Sequence, residues 1–481
     1  MTDLGRRRFL SAALAGSAGL AFPAAAHPGA LPATARMVTP EEPDYETWRR
    51  AMVWQARKPD RRPAAIARVS RAEDVPDVLA HARRRGLQVA VKSGGHHLWG
   101  AALRDDALTL DLGLLSDVKV DARTGTVAVG PALWSRELAL ALSREGLAFP
   151  VAHCATVPMG GYLLGGGFGV NGDEWGGMAC FWIEGADIVD ADGRTRRVSR
   201  TEDPDLFWAL RGAGNGFPGV VTRFILRTGP LPGAITESVY VFPLDRAGEV
   251  AALVAELASG GLPRTELMML LAADPGAATV SEPPDRICVL RPVCFAEDMD
   301  QARQSLAPLS EHPLMQEALF SLEHREMSMD RLQLGSIDYA TQFGYGRYLV
   351  DSDWSDAPEA AVRALAQTFS AAPARNSHCV VLFKNPPRLP EDAACSLMAP
   401  VWMGRYAAWQ DEALDGRVLD WLAESSRALT DHSLGHYINE VDVRGGKPRI
   451  QACFSPRAWR RLSDLRAERD PDGRFAGFLS A

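Results

Sequence analysis

VAVKSGGHHLWG, residues 89–100, is the stretch of this sequence that decides the fold, and VAHCATVPMGGYLLGGGFGVNG, residues 151–172, is its partner. The first begins in an apolar alternation that includes Val89 and Val91, which predicts a strand ending in a glycine corner. Such a corner can present several backbone N–H groups to one diphosphate. The second stretch adds another glycine-rich loop, with Cys154 ahead of it. Together the two stretches indicate a cradle for a flavin nucleotide.

Four segments resemble one family, the berberine-bridge-enzyme-like FAD-linked oxidases of the vanillyl-alcohol-oxidase superfamily. KSGGHH is similar to the family's first flavin loop, and HCATVPMGGYLLGGGFG is similar to its second. DPDLFWALRGAGNGFPGVVTRF, residues 203–224, resembles the end of the FAD domain, and HYINEVD, residues 436–442, resembles the C-terminal segment. The likeness extends from about residue 45 to residue 475 and is weakest between residues 230 and 429.

The resemblance implies an α+β protein with a two-lobed, PCMH-type FAD-binding domain over residues 45–230. An α+β substrate domain, built on an antiparallel sheet, is expected over residues 231–432. Residues 433–478 are expected to return to the FAD domain. Strands are predicted in the substrate domain at residues 238–242, 267–271, 287–295, 379–383 and 401–409. Helices are predicted there at residues 247–257, 358–369 and 414–429.

In the first half of the chain, the helical spacing of Val75, Val78, Leu79 and Ala82 predicts a helix that Gly86 ends. Further helices are expected at residues 45–57 and 134–145. Leucines alternate at residues 108–112, and Val118 and Val120 match Val127 and Val129 across a glycine turn. These strands predict one small mixed sheet.

The resemblance also implies the flavin contacts. His96 is expected to bond to the 8α carbon of the flavin and Cys154 to its C6. The cofactor-binding candidates are Lys92, Ser93, Gly94, Gly95, His96, His97, Gly100, Cys154, Val157, Gly160, Gly161, Gly165, Gly166, Gly167, Gly169, Val221 and Asn439. The alternatives for His96 and His97 are hydrogen-bonded core histidines or metal ligands, and without the glycine corner the core interpretation would be preferred. Cys154 alone is consistent with a buried thiol. No metal site is predicted.

Tyr437, in the Tyr-x-Asn segment, is the predicted catalytic base that removes the substrate proton. A phenol has a pKa of about 10, so this role requires surroundings that lower it. The alternative role for Tyr437 is packing against the flavin. Candidates for substrate contacts are Tyr345, Arg347, Tyr348, Lys384 and Arg405. Val157 stands where relatives leave room for oxygen, although it is also consistent with simple packing of the loop.

The chain departs from the family pattern in places. Residues 171–182 read NGDEWGGMACFW where relatives carry Gly-Leu-x-x-Asp-Asn, and Ala155 and Pro158 replace a proline and a glycine. Residues 167–172 also fit G-x-G-x-x-G, with Asp190 downstream, as in a Rossmann dinucleotide site. The segment that should form the following helix, residues 170–182, has three glycines and no apolar stripe, which favours the flavin interpretation.

Composition narrows the function classes. The chain has 481 residues, enough for two or three packed lobes, and a net charge of −8. No basic run outside the N-terminus offers a footprint for nucleic acid. The expected partners are therefore a small-molecule substrate and oxygen. Seven cysteines without metal spacing give no disulfide framework, and the oligomeric state stays open.

Residues 1–26 resemble a targeting segment, because Arg6, Arg7 and Arg8 precede a short apolar run and an Ala-Ala-Ala site. Paired arginines favour the twin-arginine route, and an ordinary Sec signal is the alternative. The run is too short for a stable membrane helix. The mature protein is thus expected in the periplasm or outside the cell.

The sequence therefore predicts a covalently flavinylated FAD oxidase that acts on an alcohol, sugar or amine centre and returns electrons to oxygen. One alternative is a flavin dehydrogenase that uses another acceptor. A second alternative is a catalytically silent flavin-binding protein.

Overall fold

The structure, a computed structural model, describes residues 35–171, 177–260, 262–274, 286–332, 346–384 and 389–478. Its first sheet has four strands in the order β1-β2-β4-β3. These strands are β1 Ala35–Val38, β2 Ala65–Val69, β3 Val89–Lys92 and β4 Leu108–Asp111. Strand β4 runs parallel to both β2 and β3, and β1 is antiparallel to β2. The first glycine loop therefore leaves the sheet at the carboxyl end of β3.

The second sheet has five strands in the order β5-β6-β10-β8-β9. They are β5 Val118–Asp121, β6 Thr126–Val129, β8 Ile183–Val189, β9 Thr195–Ser199 and β10 Val220–Arg227, and a separate pair joins β7 Leu147–Ala148 to β11 Gly229–Pro230. The predicted hairpin register is confirmed, since Val118 faces Val129 and Val120 faces Val127.

The prediction of one small mixed sheet was wrong. Every residue of β4 is buried, as expected for a strand inside a parallel sheet, whereas β5 is an exposed edge strand. The chain accordingly places β4 in the first sheet and the β5–β6 hairpin in the second.

Five helices belong to this half of the chain. They are α1 Tyr45–Ala51, α2 Val75–Arg84, α3 Ser135–Ser143, α4 Met159–Leu164 and α5 Pro204–Leu210. The predicted inward faces of α2 and α3 are confirmed by the burial of their apolar residues. Helix α1 ends six residues earlier than predicted. Beyond it, Trp54 N–H donates to Gly95 O and Ala56 N–H to Gly346 O, so tertiary partners replace the helical ones.

The third sheet has seven strands, all antiparallel, in the order β15-β12-β14-β13-β17-β18-β16. They are β12 Ala234–Pro243, β13 Thr265–Ala273, β14 Arg286–Ala296, β15 Phe320–Met327, β16 Arg347–Ser355, β17 His378–Phe383 and β18 Val401–Trp409. Its helices are α6 Ala247–Gly260, α7 Met299–Ser310, α8 Pro358–Ser370 and α9 Asp415–Ala428. The predicted α+β class with an antiparallel sheet is confirmed.

Two strands and a helix of this half, β15, β16 and α7, were not predicted. Strand β15 is an exposed edge rich in charged residues. Strand β16 carries Asp351 and Asp353 in its buried middle. Neither segment shows the apolar alternation on which the strand predictions depended.

Arg405 does not face a substrate site, contrary to expectation. Successive side chains of β18 point to opposite faces of the sheet, and Arg405 lies on the face covered by α9. Its guanidinium is fully buried, where it pairs with Asp351 and Asp353 and donates to Ser426 Oγ of α9. Burial without those carboxylates would be strongly unfavourable, so this arginine is a structural residue.

The C-terminal segment links the third sheet to the first. Its helices are α10 Gly446–Gln451 and α11 Pro456–Arg469. Trp354 N–H of β16 donates to Gly435 O, and Val89 N–H of β3 donates to Arg474 O. The segment thereby carries residues 437–440 between the two halves. None of the helices in the described ranges is long and apolar enough to cross a bilayer.

Candidate active site

A cavity of about 830 Å³ lies between the two glycine loops and one face of the third sheet. Twelve of the site residues predicted from the sequence line this cavity: Lys92, Ser93, Gly94, Gly95, His96, His97, Cys154, Val157, Gly161, Tyr348, Tyr437 and Asn439. Both loops and the C-terminal segment therefore meet at one site.

The first glycine loop offers an anion nest. Within the described ranges, the backbone N–H groups of residues 94–97 donate to no protein acceptor. Gly95 has φ +75°, and a Cβ there would lie 2.5 Å from Met52 O, so only glycine fits. Lys92 Nζ binds Asp111 Oδ1 at 3.0 Å at the base of the loop. Free N–H groups at such a corner suit a diphosphate.

Thr156 brings the two predicted attachment residues together. Its Oγ1 lies 3.1 Å from His96 Nε2 and 3.5 Å from Cys154 Sγ. The His96 ring stacks on Trp54, with centroids 4.9 Å apart. Burial lowers the pKa of His96 to about 4, so the imidazole is neutral near pH 7. A neutral imidazole nitrogen and a neighbouring thiol are two nucleophiles directed at one place.

Among the predicted glycines of the second loop, Gly161 is the one that lines the cavity in the described residues. Nothing lies within 4 Å of the position that a Cβ of Gly161 would occupy, so the wall is open there. Three buried polar atoms of the wall also lack a hydrogen-bond partner in the part of the chain that the structure describes: His97 Nδ1, Tyr348 Oη and Trp402 Nε1. An open wall and unpaired polar atoms fit a bound flavin nucleotide.

The other predicted glycines lie behind the wall and allow close packing. A Cβ at Gly160 would lie 2.8 Å from Ser93 Oγ, and one at Gly165 would lie 2.1 Å from Asn439 Oδ1. The remaining four are Gly100, Gly166, Gly167 and Gly169, which approach Pro59, Met178, Tyr162 and Pro150. Val221 is buried in β10 opposite Ile188. These residues shape the loops without lining the cavity.

Of the four substrate-contact candidates that the structure describes, Tyr348 alone lines the cavity. Arg347 binds both oxygens of Asp415, at 2.8 and 2.6 Å. Lys384 Nζ lies 5.9 Å from the centroid of the Phe168 ring, next to the cavity wall. Tyr345 lies outside the described residues.

The G-x-G-x-x-G match does not continue as a Rossmann unit in the described residues. Gly169 pairs with Ala152 in an isolated bridge. After residue 176 the chain forms only a short 3₁₀ helix, Ala179–Trp182, and then enters β8. Asp190 pairs with Arg196 instead of standing free for a ribose. The flavin interpretation is therefore the better supported one.

Tyr437 is held as a neutral phenol. Its hydroxyl oxygen accepts hydrogen bonds from Gly167 N–H and Asn439 Nδ2, both at 2.9 Å. Burial, together with the charge of Glu440, raises the pKa of Tyr437 above its usual value and outweighs these bonds. The surroundings therefore oppose the role of base that the sequence predicted, and favour packing and positioning.

Glu440, which the sequence analysis missed, is a better candidate for the base. Its Oε2 accepts a 2.6 Å hydrogen bond from Tyr406 Oη, and its side chain lines the cavity. Burial raises the pKa of Glu440 to about 7, the range in which a general base works best at neutral pH. Glu440 directly follows the Tyr-x-Asn segment and lies in the 3₁₀ turn Ile438–Glu440. This position is the sequence signal from which it could have been found.

A second carboxylate at the cavity is already paired. His153 Nε2 lies 2.9 Å from Glu266 Oε1, and Asn171 N–H donates to Glu266 Oε2. Burial alone would raise the pKa of Glu266, but the charges of His153 and Lys384 and these hydrogen bonds lower it. Glu266 is therefore ionised near neutral pH and orients His153, which is adjacent to Cys154.

Comparisons with known proteins indicate an FAD-binding chain. Residues 63–199 match the FAD_binding_4 family, described as an FAD binding domain. The chain is 28% identical to the FAD-linked oxidoreductase janO of Penicillium janthinellum, over 91% of this chain and 95% of that protein. It is 36% identical to the xylooligosaccharide oxidase of Thermothelomyces thermophilus, over 44% of this chain and 43% of that protein.

A solved structure of berberine bridge enzyme, in a variant with one cysteine replaced by alanine, has the same fold. Berberine bridge enzyme superposes with a TM-score of 0.78 and 18% identity, covering 92% of this chain and 96% of that one. The resemblance and the fold class predicted from the sequence are thereby confirmed. The chain therefore carries an FAD binding domain, is similar to FAD-linked oxidoreductases over most of its length, and has the fold of berberine bridge enzyme.

Proposed function

We propose that the protein is an FAD-dependent oxidase that holds its flavin covalently through His96 and Cys154 and oxidises an alcohol, sugar or amine centre. The convergence of His96 and Cys154 on Thr156 is the observation that carries this proposal. The free N–H groups of residues 94–97 would hold the diphosphate. A flavin bound there accepts hydride from a substrate carbon.

Glu440 would take the proton that leaves the substrate hydroxyl or amine. Its carboxylate faces the cavity and is partly ionised near pH 7. Tyr406 fixes the carboxylate by donating to Oε2, and Tyr406 itself stacks on His378 with ring centroids 5.0 Å apart. Tyr437 and Asn439 would fix the position of the second glycine loop, because they bind Gly167 N–H and Gly161 O.

Oxygen uptake and peroxide release test the proposal. The purified holoenzyme should consume oxygen and release peroxide in equal amounts with at least one alcohol, sugar or amine. Electron transfer to a quinone or dye without peroxide would establish the dehydrogenase alternative. Absence of turnover with every acceptor would establish a silent flavin-binding protein.

Val157→Leu is expected to slow reoxidation of the photoreduced holoenzyme roughly tenfold, because an extra methylene in a close-packed wall closes a small space. Val157 lines the cavity beside Cys154, whose carbonyl accepts the Val157 N–H at 3.2 Å. Recovery of flavin absorbance after mixing with aerated buffer measures the rate, and Val157→Ala, which leaves the space open, is the control. Equal rates in all three proteins would show that Val157 only packs the loop.

We propose further that residues 1–26 direct the protein out of the cytoplasm by the twin-arginine route, which carries folded proteins. Changing Arg7 and Arg8 together to lysine should leave the protein in the cytoplasm, as measured by fractionation and flavin content. The matched change of Arg6 to lysine should leave export unaffected. Unimpaired export of the double variant would favour the Sec route.

A further inference from the structure

Three arginines line the part of the cavity wall that belongs to β14, to β15 and to the residues after β15: Arg291, Arg325 and Arg331. Glu237 of β12 lies directly opposite Arg325 on one side and directly opposite Val293 of β14 on the other. Arg291 is two residues from Val293 along β14, so strand alternation turns it to the same face of the sheet. We call the three arginine side chains the arginine corner.

One buried carboxylate holds two of these guanidinium groups in place. Arg291 Nε donates to Glu237 Oε1 at 2.9 Å, and Arg325 Nη2 donates to Glu237 Oε2. Burial alone would raise the pKa of Glu237, but the charges and hydrogen bonds of both arginines lower it. Glu237 is therefore ionised near neutral pH, and it balances only one of the two cations that it binds.

The arginine corner also keeps unused donors at the cavity. The side chains of Arg291 and Arg325 are 33% and 49% exposed, whereas that of Glu237 is 1% exposed. In the described part of the chain, Nη1 of Arg291 and both Nε and Nη1 of Arg325 donate to no protein acceptor. Guanidinium N–H groups with an open side bind carboxylate oxygens in a favourable, often bidentate geometry.

Neighbouring acidic residues do not cancel the excess positive charge. No carboxylate of the described residues pairs with the Arg331 guanidinium. Asp330, the residue before it, is already bound by Arg136 at 2.7 Å. Glu266 of β13 is offset by the positive charge of Lys384. A cavity wall with an excess of one sign of charge attracts a ligand of the opposite sign.

We infer that the substrate is an alcohol or amine that carries a carboxylate, which binds at the arginine corner while the oxidisable carbon lies beside Glu440. This inference rests on the proposed oxidase function and narrows its substrate class. Strand β14, which carries Arg291, is three places from β18, which carries Tyr406, the partner of Glu440. These two strands are therefore roughly 14 Å apart, so the substrate is elongated, with its anionic group remote from the reacting carbon.

The test uses the holoenzyme with ω-hydroxycarboxylates from hydroxyhexanoate to hydroxydodecanoate, and with the neutral ω-hydroxyamide of each length as the matched probe. Binding is measured by anaerobic calorimetry on photoreduced, desalted holoenzyme, which cannot oxidise the probe. Oxidation is measured separately, by loss of the absorbance of the oxidised flavin. The longer carboxylates should bind about tenfold more tightly than their amides, because only the carboxylate makes charge-assisted hydrogen bonds.

Arg325→Gln and Arg331→Gln test whether the arginine corner is the binding site. Each should lower carboxylate affinity roughly three- to tenfold and leave amide affinity nearly unchanged. Arg291 stays in place in both variants, so Glu237 keeps a cationic partner. Arg303→Gln is the matched control, because Arg303 is exposed on α7 and does not line the cavity. This variant should change neither affinity, and only purified variants that retain flavin are compared.

The outcomes separate the two proposals. A carboxylate preference that both arginine variants lose, with no bleaching or peroxide from these probes or from any alcohol, amine or sugar, supports the anion site and contradicts the oxidase. Bleaching and peroxide formation that are as efficient with an amide as with its carboxylate support the oxidase and overturn the anionic substrate. Equal affinity for carboxylate and amide at every length, no binding of any carboxylate, or a preference that survives both variants would also overturn it.

Discussion

Glu440→Gln is expected to lower kcat by on the order of a hundred- to ten-thousandfold, the usual contribution of a positioned general base. The amide keeps the size of the side chain and can still accept the hydrogen bond that Tyr406 donates at 2.6 Å. It cannot take up a proton, however. Turnover of the purified holoenzyme with its best substrate, alcohol or amine, measures the effect.

The pH dependence of kcat provides a second test of Glu440 as the base. Burial raises the pKa of Glu440 to about 7, and the carboxyl must be ionised before it can accept a proton. In the parent, kcat should therefore rise with pH through about 7 and level off above it. Glu440→Gln should lose this dependence.

Tyr437→Phe is the matched control, because it removes the other candidate base from the same segment. Its effect on kcat should be under about tenfold, and the rise through pH 7 should remain. The reverse pattern would contradict the assignment. A nearly active Glu440→Gln and an inactive Tyr437→Phe would make the phenol the base, despite the burial that raises its pKa.

Replacing both His96 and Cys154 with alanine is expected to convert the flavin from fully retained to fully released on acid denaturation. Each residue lies within 3.5 Å of Thr156 Oγ1, so each single variant should retain one bond. The mass of the denatured chain measures attachment directly. The parent and both single variants should carry the mass of one FAD, and the double variant should carry none.

Cys395→Ala is the control for the loss of a thiol. Cys395 is another partly buried cysteine, but it does not line the cavity. This variant should keep its flavin after denaturation. Release of all flavin from the unaltered, fully loaded protein would contradict covalent attachment.

Several parts of the fold followed directly from local sequence. The hairpin register of β5 and β6 was predictable because four valines alternate around one glycine turn. The strand at residues 401–409 was predicted with the same bounds from a mostly apolar run, although Gly404 and Arg405 interrupt it. By contrast, β15 and β16 carry charges whose partners come from distant segments. Arg325 pairs with Glu237, and Asp351 pairs with Arg405.

The candidate site was only partly predictable, because its geometry also depends on segments that are distant in the sequence. A glycine, histidine and cysteine pattern indicates a cofactor loop, but it does not say whether a glycine faces the cofactor or a neighbouring segment. Gly161 and Gly165 are four residues apart in the same loop, yet one faces open space and the other packs on Asn439. Only the tertiary approach of the C-terminal segment separates them.

The residues that the sequence analysis missed owe their roles to contacts between segments that are distant in the sequence. Glu440 acquires its raised pKa from burial in the folded chain, and this burial outweighs the hydrogen bond from Tyr406, which lowers the pKa. Tyr406 is a residue of β18, 34 positions earlier in the chain. The residues of the third sheet that line the cavity were also missed, because strand alternation divides a strand into two faces without showing which one opens on a cavity. Leu270 and Leu271 are indistinguishable in the sequence and opposite in role.

Anaerobic mixing of the holoenzyme with panels of alcohols, amines and sugars tests the central claim most directly. The account predicts that at least one alcohol, amine or sugar bleaches the flavin absorbance, and that admitting oxygen restores it with peroxide formed. A spectrum that no compound changes, in a protein whose flavin dithionite still reduces, would contradict the claim that this cavity oxidises a substrate.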